Sequence, residues 1–179
     1  MFYLVFLKST ICSTKIICVS KHTQTDLAKK FPNTKQKSQV IYLGFKQIQL
    51  KATSVKELIK DKFILYTGNW REHKNLPNLI RAFNILKNKH KIPHKLVLTG
   101  KPNPLYPETQ KLIKKFKLQK ATFLAGLVEN SKLTWLFQNA SVYVQPSFYE
   151  GFGLPVLEAL SQNTSVCASK TSCLPEIAQ

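Results

Sequence analysis

Three apolar runs, KFILYTG (62–68), KLVLTG (95–100) and ATFLAG (121–126), each end on a glycine. Stretches with helical spacing lie between and beside them. In NLPNLIRAFNILKNK (75–89), Leu76, Leu79, Ile80, Phe83 and Leu86 fall on one stripe, and Pro77 sits in the first turn, where its missing N–H is no loss. PETQKLIKKFKL (107–118) has the pattern of a basic amphipathic helix. A strand apolar on both sides must be covered on both faces. Strand–helix–strand repetition with such strands therefore predicts an α/β fold, a Rossmann-like parallel sheet with helices on both faces. Such sheets bind ligands outside the carboxyl ends of their strands, where Gly68, Gly100 and Gly126 stand.

The remaining chain continues the alternation. KIICVS (15–20) predicts a strand, HTQTDLAKKF (22–31) a short helix with Leu27 and Phe31 on one face, and SQVIYLGF (38–45) a strand ending in a glycine turn. TSVKELIKD (53–61) reads as a short helix or a linker. KLTWLFQNA predicts a helix capped by Asn130 or Ser131. SVYVQP (141–146), PVLEALSQ (155–162) and SVCAS (165–169) predict strand, helix and strand.

Composition excludes some classes. At 44% apolar residues, the chain of 179 can bury a core and is not a disordered one. No apolar run reaches the ~18–20 residues of a membrane span. The opening MFYLVFL has no basic residue ahead of it and is closed by Lys8, so it is a poor secretory signal and reads as an element begun upstream. The net charge of +18 rests almost wholly on lysine, with Arg71 and Arg81 the only arginines. Dispersed lysine predicts a solvated basic surface that attracts anions, without the clustered arginine of base readout. No nucleic-acid partner is expected. Cys12, Cys18, Cys167 and Cys173 form no CxxC pair and are expected to be small buried thiols in a reducing compartment. His90 and His94 in HKIPH have helical metal-ligand spacing, but Pro93 between them opposes a helix. No metal site is expected.

The stretch SFYEGFGLPVLEAL (147–160) places two acids in a chain with 27 Lys+Arg and 9 Asp+Glu. A loop of Gln145 to Leu154 is expected to follow the VYV strand, with Pro155 opening a helix. Gly151 and Gly153 let the backbone turn tightly and approach a ligand. The helix N-terminus then offers unpaired N–H groups to an anion such as a diphosphate. Glu158, expected in the first helical turn, can stabilise the helix dipole by ~0.3–1 kcal/mol or accept from a diol such as ribose. Glu150 can be a solvated loop acid or a carboxylate on a sugar hydroxyl beside the reacting carbon. Paired carboxyls also fit glycoside hydrolysis, but an anion site between them serves a phosphate leaving group better. A second loop, TGNWREHKNL (67–76), brings Arg71 and Lys74 to the same edge of the sheet. A departing diphosphate needs neutralising by a metal or fixed cations. With Asp26 and Asp61 the only aspartates, no Asp-x-Asp metal pair exists, so the two cations take that part.

YTGNWREHKNLPNLIRAF, LVLTG, GLVENSKLTWLFQNASVYVQPSFYEGFGLPVLEAL and SCLPEIA, in this order, resemble glycosyltransferase family 4, from about residue 15 onward. These are retaining, nucleotide-sugar-dependent enzymes of the GT-B architecture, with two Rossmann-like domains around a cleft. The resemblance implies that Lys74, with Arg71, holds the donor diphosphate. It implies that Glu150 contacts the donor sugar as the catalytic carboxylate. Gly151, Phe152, Gly153 and Leu154 would line sugar and phosphate through backbone N–H groups, and Glu158 would accept the ribose hydroxyls. No cofactor or metal is implied beyond the nucleotide-sugar substrate.

Two positions depart from the family pattern. Asn69 stands where members often carry arginine, and Asn163 and Ser165 replace a common Gly-x-Pro turn. By resemblance, residues 1–44 are a remnant of the acceptor domain with the interdomain linker, and 45–179 are the nucleotide-sugar-binding domain, incomplete at its C-terminal end. The expected function is the donor-binding part of a hexosyltransferase acting on a glycan or lipid-linked acceptor, binding donor without turnover when alone. HKNLPNLIRAF is similar to mannosyltransferase members. The expected location is cytoplasmic, with peripheral contact on the anionic inner face of the membrane. The alternative is a non-catalytic basic module docking on anionic lipid or a protein through Lys111, Lys114 and Lys115.

Overall fold

The computed structural model describes residues 9–10, 12–45, 51–57 and 59–178. The MFYLVFL segment lies outside the described residues. Two separate parallel sheets are present. The smaller pairs β1 (Ile16–Cys18) with β2 (Ser38–Val40), connected through helix α1 (Lys21–Lys30) and a 3-10 segment, Pro32–Lys37. The larger contains β3 (Phe63–Tyr66), β4 (Lys95–Thr99), β5 (Thr122–Gly126), β6 (Val142–Gln145) and β7 (Val166–Ala168) in the order β5-β4-β3-β6-β7. All its ladders are parallel. Numbered from β3, this is the 3-2-1-4-5 order of a Rossmann-type sheet, whose direction of winding reverses between its first and fourth strands. Here the reversal falls between β3 and β6.

The crossovers are α2 (Leu76–Asn88), α3 (Glu108–Lys115), α4 (Asn130–Asn139) and α5 (Leu154–Ser161), and a short α6 (Leu174–Ile177) closes the described chain. Every residue of β3 is buried because successive side chains enter opposite cores. Ile64 and Tyr66 pack with Leu76, Leu79, Ile80 and Phe83 of α2 and with Leu112 and Ile113 of α3. Phe63 and Leu65 pack with Leu136 and Phe137 of α4, Val156 and Ala159 of α5, and Leu174 and Ile177 of α6. Helices therefore cover both faces, as two-sided apolar strands require.

Several local expectations need correction. The strand expected over 38–45 stops at Val40; Ile41 N–H still donates to the Cys18 carbonyl at 2.9 Å, but Ile41, Tyr42 and Leu43 are exposed. The described residues of 53–61 form no helix; Thr53 N–H bonds to the Ser131 carbonyl at 3.1 Å, and Ile59 inserts into the core. Neither Asn130 nor Ser131 caps α4, which begins at Asn130 with Glu129 in the cap position and no side-chain cap bond. Helix α5 begins at Leu154, one residue before the expected Pro155, because Gly153 takes a left-handed cap conformation with φ 103°. Glu158 consequently lies beyond the first turn, where no acid is found. Only Cys18 and Cys173 are buried; Cys12 and Cys167 are exposed on short or edge segments.

Candidate functional site

The loops after β3 and β6 leave the sheet on either side of the winding reversal, the place where open α/β sheets form a ligand crevice. The first loop is fixed from within. Trp70 is buried and donates its indole N–H to the Thr99 carbonyl at 2.9 Å, while the Tyr66 hydroxyl donates to the Asn69 carbonyl at 3.0 Å. A 3-10 turn, Glu72–Lys74, then leads to Asn75 in the left-handed region at φ 57°. The two loops are stitched together. Asn75 Nδ2 donates to the Pro146 carbonyl at 2.8 Å, and Phe148 N–H donates to the His73 carbonyl at 2.8 Å.

This stitching sets Lys74 against Glu150. The ammonium Nζ lies 2.7 Å from Oε1 and 2.9 Å from Oε2, with the two side chains 17% and 11% exposed. Two neutral donors join it: Gln145 Nε2 and Ser147 Oγ, each 2.6 Å from Oε1. The backbone of Glu150 is held from the other side. Its N–H donates to Ser172 Oγ at 3.1 Å, the Ser172 hydroxyl donates to its carbonyl at 2.5 Å, and the Cys173 thiol donates to the carbonyls of Glu150 and Phe152, each at 3.1 Å. Burial, with the nearby Glu150 and Glu176 charges, pushes the Cys173 thiol up to about 11, so it keeps its proton.

Beyond Glu150, the amides of Gly151, Phe152 and Gly153 donate to no described residue, although Phe152 and Gly153 are buried. Amides at the start of a helix have no intrahelical acceptor and are open to a ligand. Glu158 is half-buried, and its carboxyl makes no hydrogen bond or ion pair with a described residue. Burial raises its pKa above the ordinary carboxylate value. The Tyr143 phenol is raised chiefly by burial, and also by the charges of Glu150 and Glu158. Among the described residues, no cluster of three or more His, Cys, Asp or Glu is arranged to hold a metal ion.

The expected site residues therefore divide. Lys74 and Glu150 are joined, and Gly151, Phe152, Gly153 and Leu154 lead from them into α5, which carries Glu158. Arg71 is exposed and lines a neighbouring cavity of about 610 Å³ with Trp70, Tyr106, Arg81 and Phe148. Gln145, Ser147, Asn75, Ser172 and Cys173 were not singled out from the sequence. A polar Gln145 ending an otherwise apolar strand was the available signal, since a buried amide demands partners.

Residues 49–179 match the family described as Glycosyl transferases group 1. The chain belongs to this family. Among the curated relatives of this group 1 glycosyltransferase is the O-antigen chain mannosyltransferase B of Escherichia coli, 29% identical over 167 residues. That match covers 93% of this chain and 39% of the relative. The MMP alpha-(1->4)-mannosyltransferase of Mycolicibacterium hassiacum is 26% identical, over 91% of this chain and 38% of the relative. The chain thus spans about two-fifths of the length of these relatives. In structure it superposes on Anabaena Alr3699/HepE, solved in complex with UDP and glucose, with a TM-score of 0.83 at 18% identity, covering 97% of this chain and 49% of the other. WaaG, a glycosyltransferase involved in lipopolysaccharide biosynthesis, gives 0.80 at 17% identity over 98% and 50%. The fold is the Rossmann-like parallel sheet found in GT-B glycosyltransferases.

Proposed function

We propose that this chain is the donor-binding part of a retaining glycosyltransferase that takes a hexose from a nucleotide-diphosphate sugar. The observation that carries this reading is the Lys74–Glu150 pair beside three unengaged amides at the winding reversal of the sheet. A diphosphate sugar needs both halves of that arrangement: positive groups for the phosphates and an acceptor for the sugar hydroxyls.

In this reading the parts divide as follows. Oε1 of Glu150 already takes three donors, whereas Oε2 takes only Lys74 at 2.9 Å. A carboxylate oxygen has room for about two good donors, so a sugar hydroxyl goes to Oε2. Lys74 has three N–H groups, and two of them are directed at Glu150. The third is left for a phosphate oxygen. The amides of Gly151–Leu154 and the positive end of α5 complete the phosphate cradle. Glu158, half-buried and with no carboxyl partner among the described residues, takes the ribose diol. Arg71, exposed and outside the Lys74–Glu150 contact, acts at longer range by attracting the anionic donor. No metal is needed in this scheme, because the cation and the amides neutralise the diphosphate.

The relatives named as mannosyltransferases of O-antigen chains favour mannose as the sugar and polysaccharide biosynthesis as the setting. The acceptor is then a glycan or lipid-linked glycan, and contact with an anionic membrane surface suits a chain of net charge +18. Residues 1–44 belong to the acceptor-side domain and linker in this reading, supported by the separate β1–β2 sheet. Calorimetric titration with GDP-mannose, UDP-glucose and UDP-N-acetylglucosamine tests it. Saturable binding of at least one, unaffected by EDTA, is expected; absence of binding by all three overturns it.

A further inference from the structure

We propose that Gln145 is a positioning residue for Glu150, its side-chain amide selecting which edge of the carboxylate meets the donor sugar. This rests on the donor-binding reading above. Gln145 ends β6 and is 1% exposed. Its Nε2 reaches Glu150 Oε1 at 2.6 Å and Ser147 Oγ at 2.9 Å, and the Tyr143 hydroxyl meets its Oε1. The direction of each bond follows from chemistry. An ionised carboxylate only accepts, so the amide must turn its NH2 to Glu150 and its carbonyl oxygen to Tyr143. Tyr143 must then donate, and burial, which raises its phenol, keeps that proton in place. Tyr143 and Gln145 lie two apart on one strand and share a face, which lines them up beneath the loop.

The result is a one-way row of donors from Tyr143 through Gln145 to a single carboxylate oxygen. Gln145 and Ser147 load Oε1 and leave Oε2 to Lys74 alone. The terminal torsion of a glutamate is soft and nearly two-fold, so only partners of unequal strength can keep one edge inward. Gln145 and Ser147 are both buried, 1% and 0% exposed, so solvent replaces neither. Lys74 grips both edges and does not distinguish them.

The test compares a nucleoside diphosphate with its sugar derivative, because only the latter reaches Glu150. Affinities for GDP and GDP-mannose, and for UDP and UDP-glucose, are measured by calorimetry on the whole chain. For the pair that the unaltered chain binds, Gln145→Leu is expected to weaken the sugar nucleotide about tenfold, the loss of one hydrogen bond to a charged group, with the bare diphosphate held within about twofold. Gln145→His, which keeps an N–H at similar reach, restores part of the difference. If Gln145→Leu does not fold, Tyr143→Phe carries the test, since it removes only the hydroxyl and is expected to give a smaller fall confined to the sugar nucleotide. Equal losses for both ligands, or no loss for the sugar nucleotide, would overturn the positioning role while leaving donor binding intact. An unaltered chain that binds none of the four ligands overturns the donor reading and this inference with it.

Discussion

Lys74 and Glu150 come from loops 76 residues apart, and each is the other's nearest charge. Removing Lys74 leaves Glu150 partly buried with the neutral donors Gln145 and Ser147, and removing Glu150 leaves the Lys74 ammonium partly buried with no partner among the described residues. Lys74→Met is expected to cost about 2–3 kcal/mol, below the full loss seen for completely buried pairs. A double-mutant cycle with Glu150→Gln should recover about 1–3 kcal/mol of coupling in chemical denaturation. Glu158 gives a prediction of the opposite sign. Burial raises its folded-state pKa, so the folded protein binds this proton more tightly than the unfolded chain. The stability linked to that proton is present below the ordinary carboxylate value and is lost as pH rises through the raised one. Glu158→Gln should therefore raise the thermal midpoint at pH 7, leave it unchanged near pH 4, and weaken nucleotide binding. A higher midpoint for the wild type at pH 7 would contradict this. Lys74, Glu150 and Glu158 were legible in the sequence because each lies in a motif with fixed neighbours. The donors behind Glu150 were not, since Ser172 reaches it only after a helix and a strand intervene.

At the level of elements, three glycines make separate demands. A Cβ on Gly100 would stand 2.0 Å from the Gly68 carbonyl oxygen, and its φ is 81°. Gly100→Ala is expected to cost about 3–5 kcal/mol, overpacking added to backbone strain, because the ends of β3 and β4 must separate. A Cβ on Gly153 would meet Leu174 Cδ2 at 3.0 Å with φ 103°, which adds strain at the start of α5. Gly151 has open space around its Cβ position. Gly151→Ala should hold stability within about 0.5 kcal/mol while weakening sugar-nucleotide binding, which separates a ligand role from a folding role. Equal affinity in that variant would remove Gly151 from the site. Strands β3 and β4 and helix α2 were legible because apolar period and glycine punctuation agree there. The end of the strand expected over 38–45 and the choice between helix and linker at 53–61 were not, because their apolar residues suit a half-buried segment in any conformation; tertiary contacts decided between them.

For the molecule as a whole, the β1–α1–β2 unit meets the five-stranded unit through polar bonds and the ring contacts Tyr42–Phe152 and His22–Tyr149. Glu176 accepts from the amides of Lys21 and His22 at 3.1 and 3.2 Å and from the Tyr42 hydroxyl at 3.2 Å. Tyr149, one residue before Glu150, donates to Asp26 at 3.0 Å, and Thr23 donates to the Gly151 carbonyl at 3.3 Å. The start of α1 is thus bonded to the loop that carries the candidate site. Glu176→Ala should speed hydrogen exchange at Lys21 and His22 and cost about 1 kcal/mol, the scale of a lost helix cap, with the amides of β3 and β4 unchanged. Uniform faster exchange would show instead that Glu176 supports the main sheet. The parallel sheet with helices on both faces was readable from the alternation of elements. How the first unit meets the loop was not, because it depends on single side chains such as Glu176. The diphosphate is expected to lie between Lys74 and the start of α5. A crystal structure with bound GDP-mannose or UDP-glucose tests this directly. Phosphate oxygens within hydrogen-bond distance of Lys74 Nζ and the 151–154 amides are expected, with the ribose on Glu158. A nucleotide bound elsewhere, with Lys74 and Glu150 touching none of it, would contradict it.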